Sequence, residues 1–132
     1  MNLSYLVDTD WVIHYLNGHK EIVATLSSFR KEGLALSVIS LAELYEGIYY
    51  STDPDRNEKT LNDFLSGVSI IGIEEAICKV FGRERGKLRQ RKAIVGDFDL
   101  MIASTSLHYG LTLLSNNRKH YERIEGLSIV SR

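Results

Sequence analysis

The sequence predicts an α/β fold: a three-layer α/β/α sandwich with a central parallel sheet of four to five short strands, built as one domain over residues 1–132. Two observations carry this. Short apolar runs rich in strand formers alternate with longer stretches in which apolar residues recur at helical spacing, the pattern of a parallel sheet covered by helices. And 132 residues suit one domain, because two halves would each be too small to build a good core.

Leu3–Val7 reads as the first strand. Asp8, Thr9 and Asp10 are each able to cap the helix that follows, where Trp11, Val12, Tyr15 and Leu16 fall at helical spacing and Asn17-Gly18 ends the pattern. Glu21–Lys31 is a second helix, stopped by Gly33, and Leu34–Val38 a second strand. Ser40-Leu41-Ala42-Glu43 has the form of a capping box opening a helix to about Tyr50. Asp53-Pro54-Asp55 is a turn before a helix over Arg56–Ser66. Val68–Ile73 is a third strand, and a long helix runs from Glu74 to about Arg91, weakened by Gly82 and Gly86. Asp97 or Asp99 starts the next helix, which ends at Gly110. Leu111–Ser115 is a fourth strand, Asn116–Tyr121 a loop or single turn, and Leu127–Val130 a short last strand.

Composition narrows the function classes. At 44% hydrophobic and 25% charged residues the chain is an ordinary globule. Its apolar runs fall far short of the roughly 20 residues of a membrane span. The start lacks the features of a signal peptide, and the single cysteine, Cys78, excludes an internal disulfide framework, so a cytoplasmic setting is expected. Cys78, between Ile77 and Val80, reads as a buried apolar residue. The four histidines lack zinc-site spacing and read as surface or packing residues. No glycine-rich nucleotide loop and no serine-hydrolase elbow is present.

The net charge of −1 is unevenly spread. From Lys79 to Lys92 seven basic residues face one acid, giving a local +6 against −7 elsewhere. A basic stripe near an acidic pocket suits an approaching polyanion, although a solvated helix face gives the same pattern.

Acids stand where strands should stop and helices should start: Asp8, Glu43, Asp97 and Asp99. In a parallel sheet the strand carboxyl ends gather at one edge, and ligands bind in the crevice there. Each acid has an ordinary role open to it as a helix cap, but Ser and Asn cap about as well. Carboxylates brought together repel, and a hard divalent cation relieves the repulsion. The expected chemistry is metal-assisted hydrolysis of a phosphodiester. Asp10 joins as a further candidate, because on an extended backbone residues 8 and 10 point to one side.

Around these acids the chain resembles the PIN-domain family, and within it the VapC-type toxins of toxin–antitoxin pairs. The matching stretches are Leu6–Ile13, Ser37–Gly47, Val95–Ala103 and Gly110–Asn117, in register across nearly the whole chain. The resemblance implies a PIN-like fold and an endoribonuclease in which Asp8, Glu43 and Asp99 surround Mg²⁺ or Mn²⁺. It further implies water attack leaving a 5′-phosphate, a homodimer, and inhibition by a small antitoxin whose tail enters the pocket. One departure stands out. Many members carry a fourth acid where this chain has Asn117, which removes a negative charge and speaks against a tightly held second metal. Asp97 is a secondary candidate to compensate, and Ser115 a candidate partner of a metal ligand. Arg83, Lys87, Arg89, Arg91 and Lys92, with Arg118 and Lys119, are the expected contacts to the RNA backbone; such contacts position the strand without reading it.

Two other readings fit part of the sequence. Asp8-Thr9-Asp10 after a strand also looks like the nucleophile motif of haloacid-dehalogenase-type phosphatases, but the chain is short for that class and Glu43 would be unexplained. A catalytically degenerate module that only binds RNA or a partner is kept open by Asn117. In either case Trp11, Val12, Tyr15, Leu16, Leu44, Tyr45, Ile48, Tyr49 and Tyr50 offer more apolar area than one helix face buries, a candidate groove for an amphipathic partner helix.

Overall fold

The computed structural model describes residues 2–132. Five strands form one all-parallel sheet: β1 (Tyr5–Val7), β2 (Leu34–Ser37), β3 (Ser69–Ile71), β4 (Thr112–Leu114) and β5 (Ile129–Val130), in the order β3-β2-β1-β4-β5. Alternate side chains of a strand point to opposite faces, so each strand feeds two cores. Leu6, Ala35, Ile71 and Leu113 face α5 (Glu75–Gln90) and α6 (Asp97–Tyr109). Val7, Leu34, Leu36 and Leu114 face α1 (Thr9–Leu16), α2 (Lys20–Phe29), α3 (Val38–Tyr49) and α4 (Pro54–Leu65). The three-layer sandwich is therefore present, and the four-residue helix α7 (Arg118–Tyr121) lies between β4 and β5.

From β1 the chain first builds outward through β2 and β3, then crosses to β4 and β5 on the other side. That reversal opens a crevice above the carboxyl ends of β1 and β4. The segment entering β2 passes so close to the N-terminal stretch that a Cβ on Gly33 would sit 2.1 Å from the Asn2 carbonyl oxygen; at φ 95° only glycine fits without strain.

Several local expectations change. The helix after β2 opens three residues earlier than the capping box implied: α3 begins at Val38 and its cap is Ser37, whose Oγ accepts from the Ile39 N–H. Ser40 is instead a buried residue inside the helix, and Glu43 is not part of a cap. Gly96, not Asp97 or Asp99, is the N-cap position of α6, and both acids fall in its first turn. Asp10 is likewise helical, so the extended-backbone reason for pairing it with Asp8 does not hold. Cys78 is exposed, because the helical phase of α5 buries Ile77 and Val80 and turns residue 78 outward. Gly82 and Gly86 do not interrupt α5, whose packing along α6 outweighs their poor propensity. No helix among the described residues is long and apolar enough to cross a membrane.

Candidate active site

Asp8 sits where β1 ends and α1 begins, 3% exposed, and caps the helix. Its Oδ1 accepts from the Thr9 N–H at 2.9 Å and lies 3.1 Å from the Tyr121 hydroxyl; its Oδ2 accepts from the Ser115 hydroxyl at 2.7 Å. Burial, opposed by these hydrogen bonds and aided by the Asp10 charge, pushes its pKa up to about 6.

Asp99 comes from the first turn of α6. Its Oδ1 lies 3.3 Å from the same Tyr121 hydroxyl, and its Oδ2 lies 3.0 Å from His120 Nδ1. Tyr121 is fully buried, and burial together with the Asp8 and Asp99 charges holds its pKa far above the ordinary range, so the hydroxyl stays protonated. One phenolic proton thus faces two carboxylate oxygens and satisfies only one at a time. Glu43, two turns into α3, accepts from the Thr9 hydroxyl at 2.7 Å, next to Asp8.

The secondary candidates divide. Ser115, fully buried at the end of β4, donates to Asp8 and accepts from the Asn117 N–H at 3.0 Å. Asp10 accepts from the Asn116 N–H at 2.9 Å through Oδ2, while its buried Oδ1 has no hydrogen-bond partner among the described residues; burial raises its pKa as well. Asn117 is exposed at the N-cap position of α7. Asp97 points away, its side chain 84% exposed and paired with Arg85 at 2.7 Å.

The basic stripe runs along α5 and just beyond it. Arg85, Lys87 and Arg91 are engaged internally, with Asp97, Glu84 and Glu125. Among the described residues Arg83, Arg89 and Lys92 form no ion pair, and Arg118 donates to the Ile129 carbonyl.

Sequence reasoning missed Thr9, His120 and Tyr121. His120, read as a surface or packing residue, pairs with Asp99. Nothing local marks these positions, since Tyr121 reaches Asp8 across 113 residues.

Among the described residues no group of three His, Cys, Asp or Glu side chains is placed to hold a metal ion as it stands. The donor chemistry nonetheless fits a hard cation. Asp8 is a buried carboxylate with its pKa raised by burial, it shares the Tyr121 hydroxyl with Asp99, and carboxylate oxygens are the ligands a hard cation takes.

The PIN domain model matches residues 5–127. The chain is 32% identical over 127 residues to the protein named ribonuclease VapC2 of Haemophilus influenzae, covering 95% of each. It is 28% identical over 125 residues to the tRNA(fMet)-specific endonuclease VapC of Shigella flexneri, again 95% of each. Its fold matches the solved structure of VapBC2 from Rickettsia felis bound to a promoter DNA fragment, with a TM-score of 0.92 and 31% identity over 98% of this chain and 99% of that one.

Proposed function

The chain belongs to the PIN domain family, and from that premise we propose that it is a metal-dependent endoribonuclease, the toxin of a toxin–antitoxin pair, acting as one nuclease domain over residues 1–132. The observation that carries the reading is the Tyr121 hydroxyl bridging a buried Asp8 and Asp99, acids 91 positions apart in sequence but joined at the crevice. The phosphatase alternative loses its basis in a chain that matches the PIN domain over residues 5–127.

Asp8, Glu43 and Asp99 would hold Mg²⁺ or Mn²⁺. When bound, the ion supplies the positive charge that acidifies a water and offsets charge gained by the phosphate oxygens. The residues do the remainder. Ser115 and the Thr9 N–H fix the Asp8 carboxylate, and Thr9 turns Glu43 toward it. Asp10 adds negative charge beside Asp8 where the family's fourth acid is replaced by Asn117. Arg83, Arg89 and Lys92, which form no ion pair among the described residues, take RNA phosphates; Lys87, Arg91 and Arg118 first have to leave internal partners. The Shigella relative's name makes an initiator transfer RNA the first substrate to try.

A groove of about 640 Å³ runs between α1, α3 and α4, lined by Ile13, Leu16, Leu44, Ile48 and Arg56 with Glu43 among its walls. It suits an amphipathic antitoxin segment whose tail reaches the acids. Part of the apolar area expected there is core, since Trp11 and Val12 are fully buried, whereas Tyr49 and Tyr50 remain 61% and 87% exposed. A homodimer and a cytoplasmic setting complete the reading.

The test is cleavage of RNA by wild type and Asp99→Asn, each with Mg²⁺ and with EDTA. Wild type with Mg²⁺ should cut and the other three combinations should not; full turnover in EDTA or by the variant removes the assignment.

A further inference from the structure

The Tyr121 ring is fully buried in the core on the α5–α6 side of the sheet, and packing alone would accept phenylalanine there. A buried hydroxyl costs free energy unless it is bonded, so its presence calls for a reason beyond packing. The next residue poses the converse question. The His120 side chain is 54% exposed and belongs to no apolar cluster, yet its Nδ1 lies on Asp99 Oδ2.

We propose that α7 is a positioning device for the nuclease centre: Tyr121 ties one oxygen of Asp8 to one of Asp99, and His120 holds the second oxygen of Asp99. Two consecutive residues of a short helix thus grip both oxygens of one carboxylate and fix its rotation. Tyr121 adds the link that sets the Asp8–Asp99 separation. The helix is itself anchored. The Asn117 N–H donates to the Ser115 hydroxyl that also holds Asp8, and Arg118 donates to the β5 carbonyl of Ile129. Neither His120 nor Tyr121 needs to touch RNA. The inference rests on the reading of Asp8 and Asp99 as metal ligands. Groups that orient metal ligands in this way are typically worth 10–100-fold in metal affinity.

The experiment measures Mn²⁺ binding by the loss of the free-ion electron paramagnetic resonance signal, alongside kcat, KM and Tm, for wild type, Tyr121→Phe, His120→Ala, His120→Asn and Asp99→Asn. Tyr121→Phe should weaken Mn²⁺ binding by about tenfold or more and lower kcat, with KM for RNA kept. His120→Ala should act in the same direction more weakly. His120→Asn should regain most of that loss, because its amide nitrogen offers a donor where Nδ1 stood and has no ring to shuttle a proton. Wild-type Mn²⁺ affinity and kcat in Tyr121→Phe overturn the bridge. His120→Asn no better than His120→Ala overturns the grip on Asp99. If Tyr121→Phe fails to fold, the exposed His120 pair still decides that half. Asp99→Asn separates the two levels: if it binds Mn²⁺ and cuts like wild type, the metal centre itself is wrong. If it loses both while Tyr121→Phe and His120→Ala keep both, only the role of α7 falls.

Discussion

In the acid pocket Asp8 is 3% exposed and is met by two hydroxyls and a backbone N–H, with no cation in contact among the described residues. Along α5 and just beyond it the opposite charges are mostly in the open: Arg83, Arg89 and Lys92 are solvated, Lys87 and Arg91 are half-exposed in pairs with acids, and Arg85, paired with Asp97, is the more covered one. Water screens the second group, so its charges cost the fold little and contribute little to it. Nothing screens the first, so holding Asp8 ionised works against folding. A run of charge on a surface helix is compatible with many uses. A carboxylate buried against its own preference is a narrower clue, because the fold keeps it at a loss.

The sharpest way to break this contrast is through pH. Asp8 has its pKa raised to about 6 in the folded protein, against 3.8 unfolded. The folded state therefore holds a proton that the unfolded chain releases over that interval. The stability contributed by this group is fully present below about pH 4 and is lost as pH rises through 6, a fall of about 3 kcal/mol. Urea unfolding in EDTA at pH 4.5 and pH 7.5 spans most of that interval and should show wild type losing about 2 kcal/mol relative to Asp8→Asn, which has no charge to lose; parallel profiles would show that Asp8 is not penalised.

A smaller effect sharpens the other side. Arg83→Glu with Arg89→Glu removes two unpaired cations, and should raise KM for RNA about tenfold and flatten its salt dependence while leaving Mn²⁺ binding unchanged. An unaltered KM and salt slope would confine the stripe to solubility. Smallest is Arg91→Gln, which breaks the half-exposed pair with Glu125 and should shift stability by less than about 1 kcal/mol. Thermal unfolding checks it, and a larger loss would mean that α5 depends on its surface pairs.

The sheet was legible because buried parallel strands are short apolar runs, and Tyr5–Val7, Leu34–Ser37 and Thr112–Leu114 are such runs. Helix starts were less so. β2 passes into α3 without a loop, and Ser37 serves as both last strand residue and cap, so the β-branched Val38 looked like more strand. Choosing between Asp97 and Asp99 needed the rotational phase of α6, which Gly96 sets and no spacing rule reveals. Asp8, Glu43 and Asp99 were nameable from position and resemblance. Thr9, His120 and Tyr121 were not, because each matters only through a partner distant in sequence.

That distance has a consequence for how the protein comes into being. Asp8 is made well before the side chains that hold it, since Ser115 and Tyr121 lie 107 and 113 positions downstream. A nascent chain carries the acid through the next 107 positions before the first of these groups is made. The acidic centre therefore cannot be completed until the segment carrying Ser115 and Tyr121 has been made.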